Sequence, residues 1–442
     1  MQNDIINKLR NYSNIAILGF GREGVSTYNF IRRYDESLKL TIVDEREIDV
    51  TNLSASYKKY NKQDSDLEEF DLIIKTPGVP ILGLSKEIVS RITSQMELLL
   101  EFDRKNVIGI TGTKGKSTTV SLLYSVFKDQ TDKVCLVGNI GVPVLDKIEE
   151  FSDSIIIAEM SSHQLETVDV SPHVGVILNL YSDHLDHAGT LDNYHASKMN
   201  IVRFQDNDDY AIYDSDNYYL SKQDFNSIKS TKLTVSTNKG TIYLDNDNIY
   251  LNDKFLLNKN DIKTDLMGEH NLKNILFVIL ISMLYKLDLN KTLESIKNFK
   301  PLEHRIEYVG RYNDIEFYDD AIATIPDATI NAIKALKNVD TLIFGGMDRH
   351  IDYSEFIEYL NTGVVKNLIC MPTTGYMIAD KLTNKDINIH KIEELKDAVK
   401  LAKEVTEKNK ICLLSPAAAS YEYYKNFEEK GNAYKDFVRE EV

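Results

Sequence analysis

Short apolar runs bounded by turn-forming residues recur along the chain and alternate with stretches whose apolar positions follow a helical spacing. The runs at 14–20 (NIAILGF), 38–43 (LKLTIV) and 71–75 (DLIIK) predict the strands of a first, small unit. After the charged stretch LLLEFDRKN (98–106), a second series opens with a strand at 106–111. It continues at 133–137 (KVCLV), 154–159 (SIIIAE) and 174–179 (VGVILN). Between 231 and 257 the texture changes: GTIYLDNDNIYLNDKFLL alternates apolar and polar residues around Asn-Asp turns. That pattern predicts an antiparallel meander appended to a parallel sheet. A helix is expected from about Asn271, and NFKPLEHR (298–305) carries a proline at a linker. A third series places strands at 314–318, 340–344, 366–370 and 410–414. The fold class is therefore α/β with mainly parallel sheets, in three domains spanning 1–103, 104–298 and 299–442.

Composition narrows the picture. A chain of 442 residues is too long for one hydrophobic core, and 43% hydrophobic with 27% charged residues suits a soluble globular protein. The longest apolar run, Ile275 to Tyr285, falls short of the roughly 20 residues a bilayer span needs, so no membrane insertion is expected. MQNDIINKLR has no apolar stretch after a basic start, so no signal peptide is expected. Three scattered cysteines (Cys135, Cys370, Cys412) offer neither a disulfide framework nor a metal knuckle and suit a reducing cytoplasm. A formal net charge of −16 argues against a nucleic-acid partner.

Two glycine turns carry candidate chemistry. GFGREG (Gly19, Gly21, Gly24) follows a strand and precedes a helix, where glycines allow a phosphate to approach the helix N-terminus. Asp44 ends the next strand, about where a Rossmann domain places its ribose ligand. A further turn, KTPGVP (75–80), again offers backbone N–H groups. This part of the chain predicts an anionic, nucleotide-like ligand without deciding between NAD and a nucleotide sugar. The second turn is TGTKGKST: Thr111, Gly112, Thr113, Lys114, Gly115, Lys116, Ser117 and Thr118. It departs from the strict P-loop at Ile110 yet keeps the needed parts. Gly112 and Gly115 let successive N–H groups face inward, Lys116 reaches β- and γ-phosphates, and Ser117 ligates Mg²⁺. ATP or GTP binding is expected. Downstream, Glu159 ends a buried strand where a metal-directed carboxylate belongs. NLYSDHLDHAG (179–189) gathers Asp183, His184, Asp186 and His187, suited to hard cations rather than zinc.

These motifs, with GNIG (138–141), SSHQLE, HASKMNI (195–201), GEHNLKN (268–274), LEHR (302–305), YDDAIAT (318–324) and LLSPAAASYEYYKNFEEKG (413–431), resemble in kind and order the Mur ligase family, whose members extend the peptide of bacterial cell-wall precursors. The resemblance implies a small Rossmann-like UDP-sugar-binding domain, a central P-loop ATPase domain and a Rossmann-like amino-acid-binding domain. It implies that ATP activates the carboxylate of UDP-N-acetylmuramoyl-L-alanine as an acyl phosphate, which the amine of D-glutamate then attacks. No enzyme nucleophile is needed, and positioning with charge neutralisation carries the catalysis.

By position, the resemblance puts Lys116 on the phosphates with Gly112–Thr118 around them. Ser117 and Glu159 would hold one Mg²⁺ ion, with His184 and a carbamylated Lys198 serving a second. Asn271 and Asn274 would lie near the adenine, and Arg305 and Asp320 near the ribose and γ-phosphate. Gly21, Arg22, Glu23, Asp44, Arg46, Thr76, Pro77 and Gly78 would surround the UDP, and Asn139 the muramoyl-peptide. Thr324, Ser420 and Phe427 would line the amino-acid site. A monomer is expected.

Two departures stand out. Ile322 occupies a position where many members carry lysine, and GGMDRH offers Arg349 or His350 where many also carry lysine. Arg349 is therefore expected to meet a glutamate carboxylate, and L-glutamate or another amino acid stays open. A folylpolyglutamate synthase would lack the GFGREG domain, and a dehydrogenase would leave the P-loop idle. A non-catalytic nucleotide-sugar-binding regulator would have no use for Lys116, Glu159, His184 and Lys198.

Overall fold

The computed structural model describes residues 1–138, 142–181, 190–266, 268–300, 303–348, 352–420 and 423–440, with backbone alone at 327. The chain divides into two compact units, Met1–Thr264 with His270–Phe299, and Asp265–Glu269 with Lys300–Val442.

The first unit holds two sheets. The smaller has β1 (Ile15–Leu18), β2 (Leu40–Asp44), β3 (Ser56–Lys59), β4 (Leu72–Lys75) and β5 (Ile92–Thr93), all parallel in the order β3-β2-β1-β4-β5. The chain leaves β1 for β2 on one side and returns to β4 on the other. The carboxyl end of β1 is therefore a topological switch point, where open α/β sheets form a ligand crevice. The larger sheet comprises β6 (Val107–Thr111), β7 (Val134–Gly138), β8 (Ile155–Glu159), β9 (Val174–Ile177), β10 (Tyr210–Asp214), β11 (Thr231–Ser236), β12 (Ile242–Asp245), β13 (Asn248–Leu251) and β14 (Lys254–Asn258). Its order is β14-β13-β12-β11-β10-β9-β6-β8-β7.

The expected meander is only partly present. β12, β13 and β14 pair antiparallel, but β11 pairs parallel to both β10 and β12. The segment between β10 and β11 is long enough for the crossover that parallel pairing requires.

Parallel strands buried on both faces should read as continuous apolar runs, and β1, β4, β6 and β9 are buried along their whole length. The charged-looking stretch before β6 folds as the helix Gln95–Asp103, with Leu98, Leu99 and Leu100 fully buried. The longest apolar run is a core helix, Glu269–Leu284, in which residues 275–281 are at most 3% exposed.

The second unit has one sheet of β15 (Glu307–Tyr312), β16 (Ile315–Asp319), β17 (Val339–Gly346), β18 (Asn367–Thr373), β19 (Asn388–Lys391) and β20 (Ile411–Leu414). The order is β15-β16-β20-β17-β18-β19, and only the β15–β16 pair is antiparallel. All three cysteines are buried and unbridged.

Candidate functional site

Three clusters of strand ends carry the predicted residues. At the first sheet, a cavity is bordered by the turns that follow β1, β2 and β4, from Gly19–Glu23, Asp44–Arg46 and Thr76–Val79, with Tyr60, Gly138 and Pro143. Gly19 has φ +88°, and a Cβ there would meet the Thr76 hydroxyl at 2.2 Å, so glycine is required for the two turns to touch. Gly21 caps the helix Arg22–Tyr34, and Gly21, Arg22 and Glu23 all border the cavity, where a helix N-terminus favours an anion. Asp44 is more committed than a lone ribose ligand would be. It accepts N–H bonds from Phe20 (2.6 Å) and Arg46 (2.8 Å), and the Arg46 guanidinium bonds both its oxygens at 3.1 and 3.2 Å. Burial works to raise its pKa, but these bonds hold the carboxyl below its ordinary value.

Behind that cavity lies a polar knot that no motif announced. Lys75, 2% exposed, pairs with Glu166 at 2.7 Å and donates to the Val79 carbonyl at 3.0 Å and, less closely, to Thr76. It thereby ties the Thr76–Val79 turn to the segment following β8. Glu23 accepts a hydrogen bond from Gln164 at 2.9 Å, a second tie between the two sheets. Burial raises the Glu23 pKa and lowers that of Lys75. The one available sign was a lysine closing the apolar run DLIIK.

The second cluster is the phosphate loop between β6 and the helix Lys116–Lys128. Gly115, at φ +84°, caps that helix, and a Cβ on it would reach the Asn274 side chain at 2.9 Å. Asn274 thus sits against the loop and donates to Asn271 at 3.1 Å. The loop is braced by Asn179, another residue outside the predicted set. Its Oδ1 accepts the Lys114 N–H at 2.9 Å, its Nδ2 donates to the Lys114 carbonyl at 3.0 Å, and its carbonyl accepts the Thr113 N–H at 3.0 Å. Lys116 Nζ lies over the loop, 2.9 Å from the Gly112 carbonyl and 3.1 Å from that of Thr113. Ser117 is half-buried in the first helical turn and Thr118 is buried.

Glu159, 1% exposed, ends β8 in register with Ile110 on β6 and Gly138 on β7. Lys198 does not behave as the solvated charge a lysine on a helix usually is. It is 1% exposed on the helix Leu191–Arg203, donates to the Gly112 carbonyl at 3.1 Å, and lies 4.7 Å from the ring centre of Tyr194. Lys116 and Lys198 therefore converge on one carbonyl of the phosphate loop. Asn139 and His184 lie outside the described residues, as do Asp183, Asp186 and His187.

Gly138 sets the distance between β7 and the end of β8 at Glu159. It has φ +106°, and an added Cβ would meet the Glu159 carbonyl oxygen at 2.2 Å. Gly138→Ala is expected to cost at least about 2 kcal/mol from backbone strain and overpacking. A lowered denaturation midpoint would register it, and an unchanged midpoint would contradict the close approach.

The third cluster belongs to the second unit. Asp320 follows β16 and is buried. Its oxygens accept from the Ser415 hydroxyl at 2.8 Å and the Ile306 N–H at 3.2 Å. Burial pushes its pKa up to about 7, against the pull of Ser415 and Arg305. Arg305 keeps a buried Nε with no hydrogen-bond partner among the described residues. Asp319 is 2.7 Å from His304 Nδ1, and Gly431 lets the helix Phe427–Arg439 press against that pair, since a Cβ there would fall 2.1 Å from the imidazole. Phe427 packs edge-on to His304 with ring centres 6.1 Å apart. Ser420 borders a small pocket with Gly345, Gly346 and Lys430, whereas Thr324 and Phe427 are not among its described lining residues. Arg349 and His350 lie outside the described residues.

A P-loop on a parallel sheet, a switch-point crevice in the same unit and a further α/β unit later in the chain define a nucleotide-binding protein of the multi-domain ligase type. The Mur ligase middle domain matches residues 110–282, and the Mur ligase glutamate ligase domain matches residues 304–418. A UDP-N-acetylmuramoylalanine–D-glutamate ligase of Caldicellulosiruptor saccharolyticus is 31% identical over 96% of this chain and 98% of its own. One of the same name from a Thermoanaerobacter species is 34% identical over the same shares. The solved UDP-N-acetylmuramate-alanine ligase of Thermotoga maritima shares the fold, with a TM-score of 0.61 at 19% identity over 96% of this chain and 98% of that one. The chain belongs to the Mur ligase family.

Proposed function

We propose that this chain is an ATP-dependent amide ligase that adds D-glutamate to UDP-N-acetylmuramoyl-L-alanine in peptidoglycan precursor synthesis. The observation that carries the reading is the likeness, along nearly the entire chain, to relatives bearing that activity in their names. The braced phosphate loop and the switch-point cavity supply the chemistry such a reaction needs. The work is divided among segments 1–103 for the UDP-sugar, 104–298 for ATP and 299–442 for the amino acid.

In the reaction, an oxygen of the alanine carboxylate attacks the γ-phosphorus and ADP leaves. The amine nitrogen of glutamate then attacks the acyl carbon, phosphate departs, and the amine loses its proton to form the amide. Lys116 and the loop N–H groups neutralise the transferring phosphoryl group. The Asp44–Arg46 brace and the Thr76–Val79 turn, held by Lys75, orient the UDP end in concert with Gly21, Arg22 and Glu23. Asn139 meets the muramoyl-peptide. Asn271 and Asn274 serve the adenine, and Arg305 with Asp320 the ribose and γ-phosphate.

Magnesium demands hard oxygen donors, and a buried carboxylate at the end of β8 with a hydroxyl opening the adjacent helix fits that demand. Ser117 and Glu159 would hold one ion, and His184 with a carbamylated Lys198 a second. Such ions supply charge neutralisation to phosphoryl transfer. Among the described residues no helix is long and apolar enough to cross a membrane. A monomer working in the cytoplasm fits the reading.

Phosphate release measured with UDP-N-acetylmuramoyl-L-alanine and ATP against a panel of D- and L-amino acids tests it. Release and amide formation are expected with D-glutamate above all others. Turnover with L-glutamate instead would reassign the stereochemistry, and none with any amino acid would favour the regulator.

A further inference from the structure

The helix Phe427–Arg439 opens with Glu428 and Glu429, as a helix N-terminus favours. Lys430 follows them, where the helix dipole repels a cation, and it is 3% exposed. Its ammonium donates to one neutral group, the Gly345 carbonyl at 2.9 Å, and no carboxylate lies within ion-pairing distance among the described residues. Burying an ammonium without a counter-charge is costly, and burial lowers the Lys430 pKa to about 8. The other buried lysine at a candidate ligand site in the first sheet, Lys75, has Glu166 as its counter-ion. Lys430 has no such partner among the described residues.

Its surroundings point to what completes it. Lys430 borders the same pocket as Ser420, whose hydroxyl is buried and has no hydrogen-bond partner among the described residues. The carboxyl end of β17 borders the pocket as well. Gly345 and Gly346, the last residues of β17, border it without side chains of their own, and a Cβ at Gly346 would collide with the Ala419 carbonyl at 2.3 Å. Glu393 and Glu394 border the pocket but are exposed to solvent, where their charge is screened. One buried cationic donor and one buried hydroxyl donor thus border a pocket whose own carboxylates stay outside. A ligand carboxylate satisfies both.

We propose that Lys430 is the cation of the amino-acid subsite: its ammonium, with the Ser420 hydroxyl, receives the side-chain carboxylate of the incoming acidic amino acid. This rests on the ligase reading above and fills the role left open where Ile322 replaces a lysine. It assigns to Lys430 the selectivity that the sequence pattern alone assigned to Arg349.

The test compares glutamate with glutamine in the full-length ligase, since the two differ only in the side-chain carboxylate. Wild type is expected to prefer glutamate strongly. In Lys430→Met the ratio of kcat/KM for glutamate over glutamine should collapse by at least about tenfold, through a raised KM for glutamate, while the KM for ATP stays put. Lys430→Arg, which keeps the charge, should retain most of the preference. Should the methionine variant fail to fold, Lys430→Gln and the arginine variant carry the same comparison. A merely structural lysine would lower both activities together and leave the ratio unchanged, and that result overturns the proposal. So does collapse of the ratio in Arg349→Ala with Lys430→Met unaffected. Failure of the wild type to ligate glutamate would strike the ligase reading itself, and is distinguishable from either outcome.

Discussion

Lys116→Ala is expected to abolish ATP-dependent ligation, with a loss on the order of a hundredfold or more in rate, while the protein stays folded. The side chain is half-buried, and its described hydrogen bonds go to the Gly112 and Thr113 carbonyls of its own loop. The loop keeps its shape by other means. Asn179 holds Lys114 from both sides, and Gly115 caps the following helix in a left-handed conformation. What alanine removes is the positive charge beside the cradle of N–H groups. Phosphate release against ATP concentration, with thermal unfolding of the same sample, separates the two effects. Near-normal turnover with unaltered ATP affinity would refute the phosphate-loop assignment.

Lys198→Ala is expected to be nearly inactive and partly rescued by formate or acetate. The side chain is enclosed, donates to the Gly112 carbonyl at 3.1 Å and lies over the Tyr194 ring. A carbamate on this nitrogen would bring an anionic oxygen pair beside the Gly112 carbonyl end of the loop, and a small carboxylate can take its place. Rescue should saturate with carboxylate concentration and be absent with chloride at equal ionic strength. An inactive variant that no carboxylate restores would leave Lys198 as a positively charged brace on the phosphate loop.

What could be read from the chain and what could not follows the range of the interactions concerned. The strand–loop–helix around Lys116 was legible because glycine spacing, a lysine and two hydroxyls are all local. The apolar runs that became β1, β4, β6 and β9 were legible because strands buried on both faces have no polar alternation to blur them. β3 (SYKK) and β19 (NIHK) were not, since they are edge strands with mostly exposed or half-buried positions and little apolar signal. β5 is two residues long, and β15 owes its pairing to the antiparallel partner that follows it. Asn179, Lys75 and Lys430 escaped notice for a different reason. Each acts on residues that are distant in sequence, Lys114 for Asn179, Glu166 for Lys75 and Gly345 for Lys430, and nothing beside them in the chain records the encounter.

The Lys75–Glu166 pair has a consequence for anyone cutting the gene. A fragment starting at Arg104 looks reasonable on paper, since the phosphate loop and its sheet come afterwards. It would deprive Glu166 of its lysine, deprive Gln164 of Glu23, and uncover the surface against which Leu98, Leu99 and Leu100 are packed. An excised ATPase piece should therefore be sticky and poorly soluble, whereas a longer fragment running from Met1 to Phe299 retains both sides of that seam.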